Sequence, residues 1–104
     1  MVIRFNNPYL QRLFENKPLL GKPHFPNDVI QKYKKTVLML QYAGNIRELR
    51  KFKGLNFEAL KGDRKGYHSV RVDRKYRLII KVEEEKIVEI TEVLIIEDLT
   101  NHYD

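Results

Sequence analysis

The hydrophobic period of this chain changes at Gly54, and that change restricts the folds open to it. Before Gly54, apolar residues recur at helical spacing. Ile30, Tyr33, Val37 and Leu40 fall at i, i+3, i+7 and i+10, with Lys32, Lys34 and Lys35 outside the stripe. After Gly54 the period is two. Residues 67–72 alternate, with His68, Val70 and Val72 on one face and Tyr67, Ser69 and Arg71 on the other. Asp73-Arg74-Lys75 reads as a tight polar turn, residues 76–82 as the returning strand, Glu83-Glu84-Glu85 as the next turn, and residues 87–96 as the last long strand.

The first half divides further. Residues 2–5 read as a short edge strand. Asn7 before Pro8 is a helix start, because Asn caps and Pro suits the first helical position; Tyr9, Leu10, Leu13 and Phe14 would form its apolar face. Pro18, Gly21, Pro23 and Pro26 mark residues 17–26 as a loop. A second helix should run over residues 27–43 and stop at Gly44. Asn45 and Glu48 can cap a third, carrying Ile46, Leu49 and Phe52. A strand, helices and then an antiparallel meander predict a single α+β domain over residues 1–104, with the N-terminal strand and helices packed on one face of a small antiparallel sheet. The other face would be open and would present Arg71 and Arg77.

Charge is concentrated in the predicted hairpin. Residues 61–81 hold eight bases and two acids, a net +6 that equals the formal charge of all 104 residues. Residues 83–104 hold one base, Lys86, and eight acids. A polyanion is therefore the first partner to consider, since backbone phosphates need the donors that Arg and Lys supply. The chain has no cysteine, which removes disulfides, thiolate metal sites and a Cys nucleophile together. No apolar run approaches a membrane span and the first residues do not resemble a signal peptide, so the expected compartment is the cytoplasm. The three histidines, His24, His68 and His102, are far apart in sequence, and no His/Asp/Glu cluster has metal-ligand spacing; no metal or cofactor is expected.

Leu60-Lys61-Gly62-Asp63-Arg64-Lys65-Gly66-Tyr67-His68-Ser69-Val70-Arg71-Val72, then Tyr76-Arg77-Leu78-Ile79, and a His-Tyr near the end of the chain, resemble the HigB-like branch of the RelE/ParE toxin superfamily. The resemblance covers about residues 45–104 by motif. It implies an mRNA endonuclease acting at the ribosome and silenced by a partner antitoxin. Two alternatives share the charge pattern: a ParE-like inhibitor of DNA gyrase, and a non-catalytic RNA-binding module.

Cleaving RNA requires deprotonating a 2′-OH, stabilising the scissile phosphate, protonating the leaving 5′-oxygen and orienting the nucleotide. By the resemblance, Arg77 is the phosphate-binding arginine, Arg71 a second clamp on the neighbouring strand, and Lys61 a basic residue that recurs in the motif. His102 and Tyr103 resemble the C-terminal catalytic pair, although Asp104 follows Tyr103 here where relatives place an acid before the aromatic. Arg64, Lys65, Arg74, Lys75 and Lys81 are candidate RNA contacts or solubilising charges. His68, on the face of Val70 and Val72, reads as a satisfied half-buried imidazole. Glu58 reads as an ordinary surface carboxylate that could serve as a general base.

Overall fold

A computed structural model describes residues 1–102. Five strands form one sheet in the order β1-β5-β4-β3-β2: β1 Val2–Phe5, β2 Glu58–Ala59, β3 His68–Arg71, β4 Arg77–Lys86 and β5 Ile90–Thr100. Three helices, α1 Pro8–Phe14, α2 Asn27–Tyr42 and α3 Ile46–Arg50, fall between β1 and β2 in the chain. The expected α+β class and antiparallel meander are present. The N-terminal strand adds a feature that local pattern could not give: β1 pairs parallel with β5, Val2 opposite Val93 and Phe5 opposite Ile96, so the sheet is mixed.

Helix starts follow the expected chemistry. Asn7 Oδ1 accepts from Leu10 N at 3.1 Å, and Asn45 Oδ1 accepts from Glu48 N at 2.8 Å. The α2 stripe lies inward: Ile30, Tyr33, Val37 and Leu40 join Val70, Leu78, Ile80, Leu94 and Ile96 in the core. Tyr33 also donates its hydroxyl to Leu10 O at 2.7 Å, which ties α2 to α1. Burial raises the pKa of that phenol, so it stays protonated and able to donate.

Two expectations need correction. Glu83, Glu84 and Glu85 do not form a turn; they continue β4, and the chain reverses at residues 87–89, where Ile87 N donates to Glu89 O. Ion pairs make the extended form favourable, with Lys81 on Glu83 at 3.3 Å and Arg4 on Glu85 at 2.7 Å. The second correction concerns the sheet face away from the helices, which is not open across β3 and β4. Ser69 and Ile79 are buried there. Register places Glu58, Ser69, Ile79 and Asp98 in one row across four strands. The segment after β2 lies along that row: Leu60 is buried, and Arg64 reaches Asp98 of β5 at 3.7 Å. Gly62 and Gly66, with φ of +65° and +95°, provide the left-handed turns this path requires.

Candidate functional site

The row next to Ser69 and Ile79 carries Arg71, Arg77 and Thr100 as register partners on β3, β4 and β5. Arg77 is only 3% exposed, contrary to the expectation of an arginine presented on an open face. Its Nε donates to Ser69 Oγ at 2.8 Å, and its Nη2 donates to Asn56 O at 2.6 Å and Ser69 O at 3.3 Å. Glu58 Oε1 lies 3.4 Å from the same Nη2. The burial has a local cause. Asn56 sits in the left-handed region at φ +45°, an angle that Asn tolerates better than most residues, as it caps the 3₁₀ turn Lys53–Leu55. The capping residue thus places its carbonyl against the guanidinium.

Glu58 and Lys61 face a common cleft of about 470 Å³, with Ala59 and Gly62 also in its wall. The structure therefore brings together a held guanidinium, a half-exposed carboxylate and an exposed ammonium. That combination can bind a phosphate and move a proton beside it. Arg71 is exposed next to Arg77 in register. His102 is exposed just beyond β5, its N–H donating to Thr100 Oγ1 at 2.9 Å, and Thr100 is the register partner of Arg77. The chain direction thus brings His102 to the same end of the sheet. Tyr103 lies outside the described residues.

The other basic candidates do not gather at Arg77. Lys81 pairs with Glu83 and Arg64 with Asp98. Arg74 and Lys75 are exposed on the β3–β4 turn, where Asp73 Oδ1 accepts from Lys75 N and Tyr76 N. Lys65 is exposed on the segment that crosses the sheet. His24 stacks on Tyr9 at 3.9 Å, far along the chain from the cleft residues. Among the described residues no three His, Asp or Glu side chains are grouped to hold a metal ion, and no helix is long and apolar enough to cross a membrane.

Glu58 is surface-exposed, as expected, and it also contacts the buried Arg77. The only local signal for that contact was its position just before Leu60-Lys61-Gly62, whereas the contact itself comes from the pairing of β2 with β3, which sets Glu58 opposite Ser69. His68 is half-buried on the core side, as expected, but it is not satisfied: Nδ1 has no partner among the described residues. Its ring stacks on Phe57 at 4.8 Å and 11°, and Arg50 lies over the same phenylalanine at 4.8 Å. Burial, with a smaller contribution from the Arg50 charge, lowers the imidazole pKa and favours the neutral ring.

Comparison with known proteins bears on the family and the fold. A family described as "RelE-like toxin of type II toxin-antitoxin system HigB" matches residues 3–92. Among solved structures, the chain is similar to a YoeB/ParE toxin from Agrobacterium tumefaciens, with a TM-score of 0.55 at 17% identity over 99% of this chain and 100% of that one. At that identity the likeness concerns the fold. No curated protein matches the chain at a significant level.

Proposed function

We propose that this chain, which belongs to the HigB-like family of RelE-like toxins from type II toxin–antitoxin systems, is an endonuclease that cuts mRNA on the ribosome. The observation that supports this reading is the contact of the buried Arg77 with Glu58, a carboxylate that shares a cleft with Lys61. A scissile phosphate entering the cleft competes with Glu58 for the Arg77 guanidinium. Displaced, the Glu58 carboxylate takes the 2′-OH proton as the 2′-oxygen attacks phosphorus. Arg77, Lys61 and Arg71 then stabilise the charge on the phosphorane. His102 or Tyr103 protonates the departing 5′-oxygen, so the products are a 2′,3′-cyclic phosphate and a 5′-hydroxyl end. Each step uses side chains of this protein alone.

Membership of a type II family implies an antitoxin partner. We assign that role to a HigA-like protein encoded beside this one, with ribosome and mRNA as the substrate complex in the cytoplasm. The direct test is to add purified protein to translating ribosomes and map new mRNA 5′ ends. Discrete 5′-hydroxyl ends within translated codons are expected. Intact mRNA, together with inhibition of DNA gyrase, would transfer the protein to the ParE-like mode of action.

A further inference from the structure

We propose that a second surface pocket, which Asn56 helps to line, is a nucleotide subsite where an unstacked base of the substrate RNA rests on Phe52 and its phosphate meets Arg50 and Lys53. This rests on the RNA-cleavage reading above. The pocket has a volume of about 340 Å³, and Arg50, Phe52, Lys53, Asn56 and Phe57 line it. Its chemistry is that of a single-strand reader: two cations for a phosphate, and aromatic surface on which any base can stack.

Three features of the molecule argue for a site rather than a solvated basic face. Phe52 is 37% exposed in the wall of this pocket, between two cations, so part of its ring is open to a base. The pocket floor is also fixed in place. Phe57 stacks on His68 with ring centroids 4.8 Å apart, and the Arg50 guanidinium carbon lies 4.8 Å from the centroid of the same phenylalanine. Lastly, the pocket and the cleft are joined through the backbone. Asn56 lines the pocket while its carbonyl holds Arg77, and Glu58, two residues on, faces the cleft. Two residues of extended chain span at most about 7 Å, so a strand whose scissile phosphate lies beside Glu58 has a neighbouring nucleotide within reach of the pocket that Asn56 lines. Lys51 of the same basic run is already paired with Glu48 at 3.3 Å, which leaves Arg50 and Lys53 as the pocket's cations.

The test is single-turnover cleavage on ribosomes programmed with mRNA carrying one abasic nucleotide, placed in turn at each position flanking the cut. For the wild-type protein, one abasic position should slow cleavage about tenfold, the scale of one lost base–aromatic stack. Phe52→Leu, which keeps apolar volume but removes the stacking face, should be about tenfold slower on intact mRNA and no slower still on that abasic mRNA. Lys86→Ala, a loss of one charge far along β4, should behave as wild type. If Phe52→Leu and wild type lose the same factor at every abasic position, Phe52 does not hold a base and the subsite is overturned, while cleavage itself stands. If the wild-type protein cuts no mRNA, the cleavage reading fails, and the subsite fails with it.

Discussion

Arg77 cannot be studied by deletion alone, because its contacts serve the fold as well as the chemistry. Arg77→Ala leaves Ser69 Oγ and the Asn56 carbonyl without their donor in a buried setting, which should cost about 2–4 kcal/mol of folding stability. Urea unfolding of the variant should show that loss, and a lack of toxicity would then report partly on unfolding. Glu58→Gln separates the two effects. The carboxylate is half-exposed, so its pairing with Arg77 contributes less than about 1 kcal/mol, yet losing a general base should slow cleavage roughly 10²–10⁴-fold. A Glu58→Gln protein with full single-turnover activity would remove Glu58 from the mechanism. His68 makes a prediction of a different kind. Its pKa is lower in the folded chain than its ordinary 6.5, so the unfolded chain binds more protons as pH falls through 6.5. Stability should therefore drop as pH falls from 6.5 toward the lower folded value and level off beneath it. Thermal unfolding followed against pH should show this slope in wild type and not in His68→Phe, which keeps a ring on Phe57.

At the scale of elements, the segment between β2 and β3 decides how the site is exposed. Its path depends on Gly66 at φ +95°, where an added Cβ would meet no atom within 4 Å. The cost of Gly66→Ala is thus purely backbone, about 1–2 kcal/mol. Gly54→Ala also meets nothing within 4 Å, and Gly54 has no positive φ, so it should be near neutral or slightly stabilising. Equal unfolding midpoints for the two variants would contradict this account. The same segment shows where the sequence stopped being informative. The α2 stripe, the Asn7 and Asn45 caps and the β3–β4 hairpin were legible because each is specified by neighbours within a few residues. Strand β2 has only two residues, Glu58 and Ala59, too few to display a period. The burial of Arg77 depends on Asn56, 21 residues away, and on a segment crossing to Asp98, 34 residues beyond Arg64. The three glutamates resembled a turn because what holds them extended, the pairing with β5 and the contact of Glu85 with Arg4 of β1, lies on other strands. Arg77 was marked as functional by its motif, but nothing local indicated that it would be enclosed.

Over the whole molecule, the acids neutralise one set of bases and leave another at the rim. Glu58 pairs with Arg77, Asp98 with Arg64, Glu83 with Lys81 and Glu85 with Arg4. Among the described residues no ion pair involves Lys61, Lys65, Arg71, Arg74 or Lys75, and all five are exposed. These five cations are therefore displayed along residues 61–75, around the β3–β4 hairpin and the segment that precedes it. Each rim cation that meets an mRNA phosphate releases condensed counterions, and single strands give a slope of about −0.7 in log K against log salt per contact. Lys61→Ala and Arg71→Ala should each weaken binding to programmed ribosomes at low salt and flatten the salt dependence by about 0.7. Lys86→Ala removes the same charge near the far end of β4, beside Ile87 and Val88, and should leave the slope unchanged. Cosedimentation across a potassium chloride series measures all three slopes. If Lys86→Ala flattens the line as much as Lys61→Ala does, attraction comes from net charge alone, and the cleft rim has no privileged contact with RNA.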